Sequence, residues 1–383
     1  MLSADPCAAA MRALALMAGL VLASVLSGCA GRKQPPPPPS VGSIGQAPLA
    51  PAPSPAVPPS PVAPQAAAPG PSPFAIAPGP DGNLWFTEFR SNRIGRITTQ
   101  GNVKRFELKG DVLPERLTAG PDEAIWFTDP AGNRIGRLDL SGAEVYVPLR
   151  TENSGPAAIT LGPDANLWFT EHAANRIGRI TPLGTVTEFV LPHPGGPAGI
   201  VAGPDGSLYV AENSGNRIDR MSPDGRVDEF KLPNPASLPN GIVAGPDGNL
   251  WFTELASGKL GRLTPAGELT EYPLPAIGTP LSITAGPGGA LWVTVPRAHA
   301  VCKISPDGHA TTFYFPETVV PSFIAGGPDG NLWFTEPTGK IARLTPVGAL
   351  TEFPVIAAGD NGSESAAEAN AGARKRELLM SHP

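Results

Sequence analysis

The sequence predicts an all-β chain: a seven-bladed β-propeller of four-stranded antiparallel blades, preceded by a signal/lipobox segment and a Pro-rich stalk. Three observations carry that expectation. One unit of about 41 residues recurs seven times. Each copy holds four short β-type runs divided by turn residues, and none has a helical period, which excludes ankyrin and tetratricopeptide arrays. The second run is apolar on both faces, as in Leu84-Trp85-Phe86-Thr87, so its sheet must be covered on both sides, and neighbouring blades supply that cover.

The copies begin GPDGNLWFTE at Gly79, GPDEAIWFTD at Gly120, GPDANLWFTE at Gly162, GPDGSLYVAE at Gly203, GPDGNLWFTE at Gly245, GPGGALWVTV at Gly286 and GPDGNLWFTE at Gly327. All six Trp share one slot with Tyr209: Trp85, Trp126, Trp168, Tyr209, Trp251, Trp292 and Trp333, spaced 41, 42, 41, 42, 41 and 41. In the first copy the runs are FAIAP, NLWFTE, RIGRIT and VKRFEL. The first turn, Pro-Asp-Gly, supplies a preset φ, an Asp that bonds its own backbone and a Gly free to take positive φ. The third turn carries a Gly in every copy, Gly101 in the first, and both turns are hairpin signals. Kelch repeats are longer, and the Gly-His and Trp-Asp marks of the other common propeller are missing. The propeller is expected to span 73–355, innermost strand first. The stalk is too rich in Pro to donate a strand, so the ring must close by packing blade seven on blade one without a shared sheet.

Residues 1–28 read as a signal peptide, with Met11 the expected true start because Asp5 and Cys7 suit a signal's leading region poorly. From Met11 to Cys29 the chain has an Arg, an apolar run too short for a comfortable span, and then Leu26-Ser27-Gly28-Cys29, similar to a bacterial lipobox. Cys29 is therefore the expected lipidation site, the alternative being a plain cleaved signal with a coincidental Cys. Residues 29–72 form a lipidated-Cys and Pro/Ala-rich linker, expected to be extended and semi-rigid. The small polar tail 356–383 is expected to be disordered. These segments predict a membrane-anchored lipoprotein of the bacterial cell envelope, facing the periplasm or the exterior and touching membrane through its lipid alone.

Composition limits the partners. Pro and Gly, 49 and 45 of 383 residues, are roughly a quarter of the chain, near the level of low-complexity disorder, but 41% hydrophobic content argues against that for the whole. With 28 Lys+Arg against 34 Asp+Glu the net charge is −6, which offers nothing to nucleic acid. Processing at Cys29 would leave only Cys302, so no disulfide framework is available. A monomer is expected, with an unknown small molecule or an envelope protein as partner.

Repeats of the type GPDGNLWFTE, NRIGRIT and TEFxLP resemble the virginiamycin B lyase family, across all seven copies. The resemblance implies a seven-bladed propeller that opens a cyclic antibiotic by magnesium-assisted elimination. Its chemistry rests on His residues directly after the Pro that precedes an innermost strand, with a Glu just before one such Pro. A base there takes a proton next to a carbonyl while the metal steadies the negative charge. Here the residues after Pro73, Pro114, Pro156, Pro197, Pro239, Pro280 and Pro321 are Phe74, Glu115, Ala157, Ala198, Asn240, Leu281 and Ser322, and none is His. Those before them are Ser72, Leu113, Gly155, Gly196, Leu238, Thr279 and Val320, so that Glu is missing too. This ring is the expected ligand-binding face. No cofactor is evident, and Mg enters only through the resemblance.

Other chemistry has bland counterparts. His172 opens the loop after the second strand of blade three, and His193 lies in the crossing to blade four, on the face of the post-Pro ring; with Glu115 they are the candidate bases of a relocated site, though isolated loop histidines are usually just solvated. The acids Glu88, Asp129, Glu171, Glu212, Glu254 and Glu336 close the second strands, a ring that hard cations favour. Across the hairpin, however, they face Arg93, Arg134, Arg176, Arg217, Lys259 and Lys340, while in blade six Val295 faces Ala300. Acid and base vanish together, so pairing is expected and no residue is assigned to metal. Asp81 and its counterparts are expected to serve their turns. No phosphate loop, Ser-His-Asp pattern or Cys/His cluster appears. The functional expectation is an envelope propeller that binds a ligand or protein on its variable face. The alternatives are a C–O lyase on cyclic streptogramin-type antibiotics or a related small-molecule enzyme with a relocated site, and, beyond these, another propeller enzyme such as a lactonase.

Overall fold

The computed structural model describes residues 71–305 and 309–355. The expected signal peptide, the lipidation site Cys29, nearly all of the 29–72 linker and the 356–383 tail lie outside the described residues. Within them, seven four-stranded antiparallel sheets follow one another, each running from inner to outer strand in chain order. Blade one is Pro73–Pro78, Leu84–Glu88, Arg93–Ile97 and Val103–Glu107. The only helical segments among the described residues are two short 3-10 turns in blade six, and no helix there is long and apolar enough to cross a membrane.

The recurrent Trp is an anchor for three neighbours. Trp85, Trp126, Trp168, Trp292 and Trp333 are at most 1% exposed, and each hydrophobic cluster joins two adjacent blades. The Asp four residues earlier accepts the indole N–H, at 2.9 Å from Trp85 to Asp81, and the Tyr209 hydroxyl reaches Asp205 at 3.0 Å in the same way. In blades one to four the second Arg of the third strand pairs with the same Asp, as Arg96 does with Asp81 at 3.1 Å, and Arg96 also lies over the Trp85 ring. In blade six the turn has Gly288 in place of Asp, and Trp292 Nε1 is correspondingly left buried without a partner. These aspartates thus serve the turn, as expected, and the Trp as well.

Blades are joined by a repeated threonine bridge. The Thr87 hydroxyl accepts the Ala75 N–H at 3.0 Å within its own blade and donates to the Glu115 carbonyl of the next at 2.9 Å. Thr128, Thr170, Thr253, Thr294 and Thr335 repeat it, each fully buried. The last of these closes the ring: Thr335 donates to the Phe74 carbonyl at 2.6 Å, and Arg343 donates to the Thr99 carbonyl at 3.1 Å. Closure therefore rests on side chains and packing, with no strand shared between blades seven and one. Blade four has Ala211 in this slot. There the inner strands sit so close that a Cβ on Gly199 would lie 2.1 Å from the Asn240 carbonyl oxygen.

Candidate functional site

Each inner strand starts at its Pro or three residues after it, on the face where the second strand ends, as the pairing of Pro73 with Glu88 shows, and the first turns lie at the opposite end. The seven post-Pro residues therefore gather around the channel on one face. Their backbone is held by the threonine bridges, which accept the next N–H and donate to the post-Pro carbonyl of the following blade, so their side chains are free to vary.

One side of this mouth is filled. Phe74 of blade one packs against Phe323 of blade seven with ring centroids 4.7 Å apart, and against Phe89 at 5.3 Å. From blade two, Arg116 reaches past blade one and sets its guanidinium carbon 3.7 Å from the Phe323 centroid and 5.4 Å from that of Phe74. Burial pushes the Glu115 carboxyl above its ordinary range, against the pull of Arg116, and lowers the Arg116 guanidinium to about 10. The other side is lined by short residues, Ala157, Ala198 and Asn240 among them, with Leu281 and Ser322 completing the ring. The Thr294 hydroxyl takes the Ser322 carbonyl at 2.7 Å.

The candidate bases do not converge on this mouth. His172 Nδ1 is 3.1 Å from the Pro197 carbonyl oxygen, and Asn213, in the same slot one blade on, donates to the Pro239 carbonyl at 3.2 Å. His172 is thus the blade-three version of an inter-blade brace. His193 stands at the rim, 69% exposed, with Nδ1 2.9 Å from Glu229 on the outer strand of blade four. His299 occupies the left-handed loop slot of Asn92, Asn133, Asn175 and Asn216 and holds the Val319 carbonyl at 3.0 Å. Of the three candidates, Glu115 alone lies at the mouth.

The second-strand acids keep the expected register, Glu88 with Arg93 through Glu336 with Lys340, and Val295 opposite Ala300. The expected ion pairs form only in part. Asp129 holds Arg134 at 2.7 Å, but Glu88 is taken by Arg105 of the outer strand with Nε to Oε1 at 2.6 Å, while Lys259 and Lys340 turn to the outer-strand acids Glu271 and Glu352 at 2.6 and 2.7 Å. At Lys259 and Lys340 two carboxylates compete for one cation, and the fully buried inner one loses. Glu171 and Glu336 are left fully buried, each eased by one hydrogen-bonding neighbour, Ser154 for the first and the Val320 backbone for the second. Burial drives these two carboxyls up to about 7, and Glu212 to about 8 with Asp219 adding to the push. Sequence alone showed the hairpin partner but not the outer, fourth strand that outcompetes it.

Two features escaped the sequence reading. The six bridging threonines were visible as a constant letter in the WFT runs, yet their role needed the inner strand of the next blade. Arg116 lies one residue beyond the ring, in a slot otherwise held by Ala75, Ala158, Gly199, Gly241, Ser282 and Phe323; it is the only charge there, which was the available signal. Two cavities lie on the other face. One of 410 Å³ at the seam of blades seven and one is bordered by Asp329, Arg343 and Thr99, and one of 240 Å³ in blade four by Asp205, Arg220 and Asp228. Their charged groups are already paired with one another or with backbone.

Fold and mouth together define a seven-bladed propeller whose variable residues ring one end of a central channel. The virginiamycin B lyase family model matches residues 63–196 and 193–367, and the chain belongs to that family. It is similar to a streptogramin B lyase structure, with 36% identity, a TM-score of 0.68, and coverage of 71% of this chain and 92% of that one. Selenomethionine-substituted virginiamycin B lyase from Staphylococcus aureus gives 36% identity and 0.68 over 71% and 94%. A catalytically inactive variant of the Staphylococcus aureus enzyme with quinupristin gives 35% and 0.67 over the same shares. Hydrazine synthase from Kuenenia stuttgartiensis, at 14% identity and 0.58 over 77% of this chain and 99% of that one, shares the fold. No match is found among curated proteins.

Proposed function

We propose that this chain is an envelope-tethered propeller that binds a ligand, a small molecule or a protein segment, at the post-proline mouth and does not open streptogramin rings. The observation that carries the reading is the ring itself: Phe74, Glu115, Ala157, Ala198, Asn240, Leu281 and Ser322 contain no His and a single carboxylate. Without a positioned base, proton abstraction loses the roughly 10²- to 10⁴-fold that such a group contributes. The residues also do not fit the magnesium that the family resemblance implies. Hard cations gather several oxygen ligands, whereas the mouth offers Glu115 with the Arg116 guanidinium beside it, and no group of three or more His, Cys, Asp or Glu among the described residues is placed to hold a metal.

The identity with streptogramin B lyase favours one competing reading, a C–O lyase on a cyclic streptogramin-type depsipeptide whose base has moved to Glu115, His172 or His193. Mass spectrometry of such a depsipeptide incubated with the protein, with and without magnesium, separates the two. The expected result is no linearisation above background. Robust turnover abolished by His172→Ala, His193→Ala or Glu115→Gln would establish the lyase. Tethering through Cys29 is tested apart from this: Cys29→Ser should leave the protein unprocessed or release it to the soluble envelope fraction, and a correctly processed variant that stays on the membrane refutes the anchor.

A further inference from the structure

Arg116 is the unusual group at the mouth. Its guanidinium lies against the faces of Phe323 and Phe74, at 3.7 and 5.4 Å, which accounts for the plane of the cation but for none of its edges. Among the described residues its guanidinium makes no hydrogen bond and no ion pair; its one charged neighbour is Glu115. Compare Arg217, whose nitrogens meet Asp219 at 2.9 Å and the His193 carbonyl at 2.7 Å. A guanidinium presents five donors in a fixed plane, and here they are unmatched within the protein and open to solvent, a fork that suits an anionic acceptor. Across the channel stand the short side chains of Ala157 and Ala198.

Resting on the reading of the mouth as a ligand site, we infer that it takes the carboxylate of a small monoanionic organic acid, received along the edge of Arg116, with the acid's apolar body against Phe74, the partly exposed ring of a pair whose other member, Phe323, is buried. The geometry is the fork of a guanidinium on a carboxylate, which fixes orientation as well as charge. Glu115 sets the preference for a single negative charge, because a phosphate dianion beside it meets repulsion whenever Glu115 is ionised. Burial lowers Arg116 to about 10 and raises Glu115.

Ligand-observed NMR titration of the full chain tests this with phenylacetate, its neutral isostere phenylacetamide, and inorganic phosphate. Phenylacetate should bind at least about tenfold more tightly than either other probe, the factor a charge-assisted hydrogen-bonded pair supplies. Arg116→Met should remove that advantage, while Arg116→Lys, which keeps the charge and loses the fork, should retain part of it; circular dichroism confirms that each variant is folded. Equal binding of phenylacetamide, or phenylacetate binding that survives Arg116→Met, overturns the carboxylate assignment and leaves the mouth a ligand site. Phosphate binding more tightly than phenylacetate overturns the monoanion preference. Failure of folded protein to bind any probe overturns the inference as a whole, independently of the linearisation assay.

Discussion

Asp219 stands directly across the second-to-third strand pair from Val210, in a slot that a phenylalanine holds in five other blades. Phe86, Phe127, Phe169 and Phe252 each face a Gly, and a Cβ on Gly178 would lie 2.0 Å from Phe169 Cζ. Where the ring shrinks, the third strand grows: Val210 faces Asp219 and Val293 faces Cys302. Blade seven pairs Phe334 with the small Ala342. In blade four this trade puts a carboxylate inside the blade, and Arg217 meets it at 2.9 Å.

A Gly178→Ala substitution should therefore overpack blade three and cost about 1–3 kcal/mol. In a Phe169→Val background the added methyl enters vacated space, and its penalty should fall by about 1 kcal/mol or more. A double-mutant cycle by urea unfolding measures the coupling. Additivity within about 0.5 kcal/mol would show that ring and glycine do not share one volume.

The Trp slot makes a second prediction. Trp168 is buried, stacks on Phe189 with centroids 5.5 Å apart, and donates to Asp164 at 2.9 Å. Trp168→Ala should cost roughly 3–5 kcal/mol. Trp168→Tyr should be much milder, since Tyr209 already makes the equivalent bond to Asp205. Equal losses for the two variants would mean that the slot is not a packing site.

The fold was legible in the sequence because a propeller repeats its instructions: a Trp every 41 or 42 residues, a Pro-Asp-Gly turn before it and a Gly in the last turn locate every strand. The strand pairings within each blade followed, down to Val295 opposite Ala300. What could not be read were relations between non-adjacent strands and between blades. Lys259 choosing Glu271 over Glu254, and Arg116 crossing to Phe323, depend on distances that no repeat alignment contains. The mouth was located by its prolines, while its main charged group lay one residue outside the ring that the prolines marked.

The ring-closing bridge is open to direct test. Thr335→Val keeps the shape but leaves the Phe323 N–H and the Phe74 carbonyl without their partner, and an orphaned buried group costs roughly 1–3 kcal/mol. Thr335→Ser should recover most of this. Hydrogen exchange at the Phe323 amide should accelerate in the Val variant. Unchanged protection there would show that packing alone seals blades seven and one.

The buried second-strand acids predict an inverted pH dependence over the neutral range. Glu336, raised by burial to about 7 with Glu352 adding to the push and Lys340 opposing it, binds more protons folded than unfolded, where its ordinary value is 4.5. Its contribution is fully present below about 4.5 and is lost as pH rises through about 7; Glu171, at about 7, and Glu212, at about 8, act in the same sense. The turn aspartates act oppositely. Asp81, Asp164 and Asp329 have lowered carboxyls, held down by the indole and Asn hydrogen bonds against the effect of burial, so their contribution is lost only as pH falls below about 4. Stability should thus peak near pH 5 and decline toward pH 8. Glu336→Gln removes one titrating group and should flatten that decline by on the order of 2 kcal/mol at pH 8. Urea midpoints at pH 5, 6, 7 and 8, with constant slopes, measure it. A midpoint that is flat or rises toward pH 8 would show that these carboxyls are ionised in the folded protein, with partners other than those found here.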